Sequence, residues 1–364
     1  MNRLVIVGNG FDLAHGLETK YEHFLLDLFK KALLTSESSS KRIYETKLFK
    51  VTCNIPNKFY EQIQSLENLF DGVNINNPKS RSPYITRSEP RRAYNISFKA
   101  DWFKELITEN NWVDIESAYF KELTKHTLNN DKYNPKFIKN FHESFNVLTE
   151  MLRVYMEDVN HKLEGLQEFP KLDIVKKCFN PVSDENFEHF FANTPNKNQL
   201  NKVVFLNFNY TKLLELYLKE TDMPYPMEYG VLNIHGPLRN EKDIIFGYGD
   251  DTHPKYKELE LLDDNEVLSK MKSFQYPTNK TYRHLINFIE SDYFDVVVMG
   301  HSLGISDRVL LKTIFEIDFC KMITILHRSE NKNDFKKWIP LSRHFDNKVK
   351  MRRKIKDFED EDIM

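Results

Sequence analysis

The apolar positions of this chain change period several times along its length. Leu4-Val5-Ile6-Val7 is a continuous aliphatic run that ends at Gly8, and after a glycine-bearing turn the apolar residues of 21–29 recur at helical spacing. Strand, turn and helix are predicted in that order. From about residue 36 to residue 100 the periodicity weakens into Ser-rich and Asn/Pro-rich stretches. From Trp102 to about Leu166 a helical period returns, as in Phe145, Leu148, Met151, Leu152 and Tyr155, and predicts a helical layer. Strand-like runs resume at Val203-Val204-Phe205-Leu206 and continue through Asn233-Ile234-His235 and Ile244-Ile245-Phe246. The clearest late ones, Asp295-Val296-Val297-Val298-Met299 and Met322-Ile323-Thr324-Ile325-Leu326, enclose a helical pattern over 307–317. Continuous rather than alternating runs belong to strands covered on both faces, hence to a mostly parallel sheet.

The fold class that follows is α/β: a Rossmann-like, mostly parallel sheet with helices on both faces, plus a large inserted helical region. The core is assigned to residues 1–35 and 196–330, the mainly helical insertion to 36–195 and a charged, solvated tail to 331–364. Within the insertion, residues 78–99 carry Lys79, Arg81, Arg87, Arg91, Arg92 and Lys99 against one acid, Glu89, which makes a basic rim. No aromatic-rich RNA signature accompanies it. Over all 364 residues, 52 Lys and Arg nearly balance 54 Asp and Glu, so there is no bulk attraction to nucleic acid or anionic membranes. No stretch approaches the ~18 consecutive apolar residues of a membrane span, and the first apolar run is too short for a signal peptide. A cytoplasmic protein with neither a membrane nor a nucleic-acid partner is expected. Cys53, Cys178 and Cys320 are odd in number and far apart, which excludes a disulfide framework and a four-thiolate zinc site; no metal is predicted.

Glycine changes the picture most. The chain has only 11, and nine of them (Gly8, Gly10, Gly16, Gly230, Gly236, Gly247, Gly249, Gly300 and Gly304) fall in three short segments beside strand-like runs. The first segment is Gly8-Asn9-Gly10-Phe11-Asp12, followed by Gly16 and by Glu18-Thr19-Lys20-Tyr21. Glycines directly after a first strand let backbone N–H groups face a phosphate at a helix start. The third glycine comes three residues later than the dinucleotide fingerprint requires, and a tight strand-to-helix turn without ligand has the same signature. The second segment couples Phe208-Asn209-Tyr210-Thr211 to Ile234-His235-Gly236, polar residues at the carboxyl ends of strands, where open α/β sheets bind ligands. His235, with an ordinary pKa near 6.5, suits general-base work and equally suits a structural role. The third, Gly300-His301-Ser302-Leu303-Gly304, matches the nucleophile elbow of α/β-hydrolases, with Asp307, Asp318, Asp334 and His344 downstream as acid and base. Asp114 and Glu116, in Trp112-Val113-Asp114-Ile115-Glu116, offer acid/base or ribose-binding groups, or complement a helix dipole.

In combination and order, Gly8–Asp12 with Gly16–Tyr21, Trp112–Glu116, Phe208–Thr211, Ile234–Gly236 and Gly300–Gly304 resemble the bacteriophage abortive infection AbiH family nearly end to end. The resemblance implies an antiphage role in a bacterial cytoplasm, with a phage-derived trigger and homo-oligomerisation as further expectations. The same segments are similar, more distantly, to sirtuin-type NAD-consuming domains. That likeness implies NAD or a related nucleotide as small-molecule ligand. It places Gly8, Asn9, Gly10, Phe11, Asp12, Thr19 and Tyr21 along the dinucleotide loop, and Asn209 and Thr211 at the nicotinamide ribose. His235 would be the catalytic base beside Gly236, and Gly300, His301, Ser302 and Asp307 would meet the adenosine side. Thr211 stands where those domains often carry an acid, and Glu18-Thr19-Lys20-Tyr21 replaces their Pro-Asp-Phe-Arg. Their paired Cys-x-x-Cys zinc module is absent, which favours cleavage of the nicotinamide–ribose bond with water as acceptor over deacylation. Two other readings stand beside this one: a non-catalytic nucleotide sensor in phage defence, favoured by Thr211, and a serine esterase using Ser302.

Overall fold

The computed structural model describes residues 1–72, 74–76, 93–108, 115–128, 133–170, 172–221, 227–238, 244–327, 338–357 and 359. They hold nine strands: β1 (Asn2–Val7), β2 (Ile43–Glu45), β3 (Phe49–Cys53), β4 (Asn74–Asn76), β5 (Tyr94–Phe98), β6 (Lys202–Asn207), β7 (Glu228–Asn233), β8 (Phe294–Met299) and β9 (Cys320–Ile325). Two sheets result, one of five strands in the order β7-β6-β1-β8-β9 and one of four in the order β2-β3-β5-β4. By compactness the chain divides into a first unit, Met1–Leu17 with Met156–Met364, and a second, Glu18–Tyr155.

The first unit holds the five-stranded sheet, and every pairing in it is parallel. β1 is central because all six of its residues are buried and its branched aliphatic side chains fill both faces. Leu4 and Ile6 join Val296, Val298, Leu285, Leu310 and Ile314 in one core layer. Val5 and Val7 join Phe205, Met299, Leu213 and Tyr217 in the other. Each fully buried side chain of this size contributes roughly 1.5–3 kcal/mol. Arg3 is the charged exception. It lies in register with Asp295 of β8, holds that carboxylate through Nε at 3.0 Å and a terminal nitrogen at 2.8 Å, and donates its other terminal nitrogen to the carbonyls of Cys178 and Asn180. Burial is tolerated because the charge is paired and hydrogen-bonded.

From β1 the chain winds outward through β6 and β7 on one side, then returns to lay β8 and β9 on the other. The reversal makes the gap between β1 and β8 the topological switch point, the usual ligand position in open α/β sheets.

In the second unit, β3 and β5 alternate buried and half-buried residues and pair antiparallel. Phe49 of β3 packs against Phe29 of the helix Tyr21–Ser38 at 4.9 Å and stacks on Phe103 at 5.9 Å. Farther along, Tyr119 stacks on Phe141 at 5.1 Å and meets His142 Nε2 at 2.8 Å.

Residues 36–195 hold mostly helix and, in addition, a four-stranded sheet that the pattern does not predict; β2 and β4 have three residues each, too few to show a period. Two expectations need correction here. The tail is not wholly solvated. Its helices Trp338–Ser342 and Lys348–Lys354 bring Leu341, His344 and Phe345 into the core. Asn347 caps the second by accepting from the N–H groups of Val349 and Lys350 at 3.0 Å, and Lys354 donates to the carbonyls of Phe315 and Ile317 at the end of the helix Arg308–Glu316. Ile244, Ile245 and Phe246 are buried yet belong to no strand; Ile245 N–H bonds the His235 carbonyl instead. Of the basic rim, Lys79, Arg81, Arg87, Arg91 and Arg92 lie outside the described residues. Among those described, no helix is long and apolar enough to cross a membrane.

Candidate functional site

The loops after β1 and β8 meet at the switch point with almost no space between them. Gly8 N–H donates to the Met299 carbonyl at 3.0 Å and Gly10 N–H to the Gly300 carbonyl at 2.7 Å. A Cβ on Gly8 would stand 2.5 Å from His301 Cα, one on Gly10 2.6 Å from the Gly300 oxygen, and one on Gly300, whose φ is +70°, 2.4 Å from Phe11 N. The glycines thus permit backbone to meet backbone. The amides expected to face a phosphate are occupied by protein carbonyls. Phe11, expected along a dinucleotide loop, is instead a core residue, fully buried with its ring 5.5 Å from that of Tyr217. Asn9 is exposed at the start of the short helix Asn9–Ala14.

Behind this contact lies Asp12, which is 1% exposed. Its carboxylate accepts from Thr211 Oγ1 at 2.9 Å and from Asn209 Nδ2 at 3.0 Å, while the same Asn209 amide donates to the Gly8 carbonyl at 3.1 Å. Asn209 N–H is held by Asn207 Oδ1, and Asn207 continues through Asn233 to Glu215. Burial raises the Asp12 carboxyl to about 7; the bonds from Thr211 and Asn209 resist, and the nearby Glu215 charge adds to the rise.

A second cluster surrounds His235. Its Nδ1 lies 3.1 Å from the Phe208 carbonyl. A carbonyl only accepts, so Nδ1 carries the hydrogen and the neutral ring presents a lone pair at Nε2. That nitrogen is buried, has no hydrogen-bond partner and stands 3.4 Å from Asp307 Oδ1. The approach is not a hydrogen bond, because both atoms are then acceptors. Burial and then Lys272 pull the His235 pKa down, against the pull of Asp307. His301 is set differently. Its Nδ1 accepts from Leu303 N–H at 2.9 Å, so Nε2–H faces Asp307 Oδ2 at 3.6 Å, and burial lowers the ring to about 4. Asp307 also receives Lys272 Nζ at 2.7 Å. Burial would raise its carboxyl, but Lys272, helped by the His301 Nε2–H, outweighs burial and holds it far below the usual range.

The Phe208–Thr211 segment joins the two clusters. The Phe208 ring stands edge-on to His235 at 5.2 Å and to His301 at 4.3 Å, and the next residues bind Asp12. Gly236, with φ +85°, makes the left-handed turn after His235. Asn209, Thr211, His235, His301 and Asp307 are therefore brought together with the Gly8 and Gly300 loops. Thr19, Tyr21 and Glu116 belong to the second unit, where Thr19 and Glu116 are buried and Tyr21 opens a helix. Asp114 lies outside the described residues.

Ser302 is exposed and does not sit on a nucleophile elbow. The left-handed residues of its turn are Gly300 and Leu303, not the serine. His344 Nε2 donates to the Leu303 carbonyl, and Asp318 pairs with Lys350. Asp334 lies outside the described residues, and no described imidazole hydrogen-bonds Ser302 Oγ. The esterase reading is overturned by this geometry.

Lys272 escaped the sequence reading, although it is fully buried. Its partner segment did give a signal. A Cβ on Gly249 would meet the Ser306 carbonyl at 2.4 Å and Lys272 Cβ at 3.2 Å, and Lys272 N–H bonds the Tyr248 carbonyl. The sheet's carboxyl edge thus holds a carboxyl poised near neutrality beside a fixed amide, and an ionised carboxylate beside an unprotonated imidazole nitrogen. Such a pair of oppositely shifted acids is a means of acid–base chemistry at neutral pH. Among the described residues, no three His, Cys, Asp or Glu side chains gather as a metal site.

A family model described as bacteriophage abortive infection AbiH matches residues 4–328, a span that contains both clusters. No curated protein matches the sequence. With most of its length covered by that match, the chain belongs to the bacteriophage abortive infection AbiH family.

Proposed function

We propose that this phage abortive-infection protein hydrolyses NAD, or a close relative, at the nicotinamide–ribose bond, using the carboxyl edge of the first unit. One observation carries the reading: His235 Nε2 and Asp307 Oδ1 are two acceptors 3.4 Å apart, and the nitrogen has no donor. A water entering there satisfies both, screened from bulk solvent. Its oxygen forms the new bond to the ribose C1′ as the C1′–N1 bond breaks, the electron pair leaves with neutral nicotinamide, and His235 takes the water proton. The products are ADP-ribose, nicotinamide and a proton. Asn209, its Nδ2 fixed by Asp12 and Gly8, offers Oδ1 to a ribose hydroxyl. Because Gly8 and Gly10 donate to carbonyls, the pyrophosphate is assigned to neither amide.

The test is incubation of the pure chain with NAD while free nicotinamide is followed. Release is expected from the wild type, with a loss of about 10²–10⁴-fold in His235→Ala; no release from the wild type would refute hydrolysis. The sensor reading, favoured by Thr211 on Asp12 where an acid would serve catalysis, predicts NAD bound in calorimetry and recovered unchanged.

A further inference from the structure

Apart from the two clusters, the first unit has a cavity of about 190 Å³ between the helices Leu172–Lys177 and Asp184–Phe191 and the face of β8 and β9. About half of its wall is apolar, with Val182, Val297, Met322 and Leu326 among the lining, and the rest is polar, with Lys177 and Thr324 among it. The Arg3–Asp295 pair closes one wall, and because the two charges answer each other it presents no net charge to a ligand. The mouth differs. Lys356, whose side chain is 10% exposed, holds Glu359, which is 45% exposed, at 3.0 Å. Asn186 Nδ2 donates to the same glutamate at 3.0 Å. Lys356, Asn186 and Glu359 all line the cavity.

Glu359 therefore holds an ammonium and an amide in a cavity that also has an apolar wall. We propose that this cavity binds a small organic anion with an apolar body, whose carboxylate or phosphate replaces Glu359 on Lys356 and Asn186. An exposed carboxylate is a weak competitor, and a ligand that also covers Val297, Met322 and Leu326 gains apolar contact that Glu359 lacks. The volume lies below the ~300–1,000 Å³ of sites for drug-sized molecules, which limits the ligand to a small one. The receptor group is anchored: Lys356 N–H bonds the Ile323 carbonyl at 3.0 Å, and Ile355 bridges to Ile323 of β9. The cavity's lining shares no residue with the Asp12 and His235 clusters, so the proposal is independent of the NAD reading.

Calorimetry on the full chain with benzoate, phenyl phosphate and uncharged benzamide tests it, the two anions separating carboxylate from phosphate. Glu359→Ala is expected to bind at least one anion about three- to tenfold more tightly than wild type, by removal of the internal competitor. Adding Lys356→Gln, or Asn186→Ala at its half-exposed helix position, should remove that gain, and benzamide should show none. Unchanged affinity for both anions in Glu359→Ala, or an equal gain for benzamide, would overturn the proposal.

Discussion

Asp12 and Asp307 are buried at the carboxyl edge of one parallel sheet, and what faces them drives them to opposite states. Asp12 meets neutral donors, Thr211 and Asn209, so the penalty for burying a charge prevails and its carboxyl rises to about 7. Asp307 meets the Lys272 ammonium at 2.7 Å, and that attraction outweighs the same penalty. Depth alone does not decide whether a buried acid is charged; the charge of its partner does.

Removing that partner should give the largest effect. Lys272→Met strands an anion in the core and is expected to lose about 3–5 kcal/mol in urea unfolding at neutral pH, with much of the loss recovered by adding Asp307→Asn. Next comes Asp12. Its folded pKa of about 7 lies above the ordinary 3.8, so its stabilising contribution is full at acid pH and is lost as pH rises toward 7. At about 1.4 kcal/mol per pKa unit, that loss amounts to a few kcal/mol. Asp12→Asn should abolish the slope and melt later than wild type above neutral pH. His301 supplies the opposing slope. Its ring is lowered from 6.5 to about 4, so the stability tied to its neutral form is present above 6.5 and lost as pH falls. His301→Gln should recover about 2 kcal/mol near pH 5 and leave the Asp12 slope exposed. Thr211→Val removes one donor from Asp12, and should cost about 1 kcal/mol and move that carboxyl higher still. Ser302→Ala should change stability by less than about 0.5 kcal/mol, since no packing or hydrogen bond depends on it.

Much of this arrangement was legible because it rests on local patterns. β1, β8 and β9 are continuous aliphatic runs, and polar residues at the ends of such runs, Asn209 and His235 among them, face the functional edge of an open sheet. Glycine was harder to interpret. Gly8, Gly10 and Gly300 demand close backbone approach, yet a second loop and a phosphate make the same demand on the sequence, and only coordinates reveal Gly300 as the partner. Lys272 was hidden because a buried lysine has the same letter as a surface one, and its short helix Lys272–Gln275 carries no period. The terminal helix was masked by its charges, although Asn347 ahead of it was a cap signal in plain view.

Carboxyl-carbon NMR of aspartate-labelled protein, titrated from about pH 4 to about pH 9, tests the contrast between the two acids most directly. One resonance should titrate near 7 and vanish in Asp12→Asn, while the one that vanishes in Asp307→Asn should keep its ionised position throughout. Both aspartates titrating together near 4 would contradict the assignment of opposite charge states to this edge.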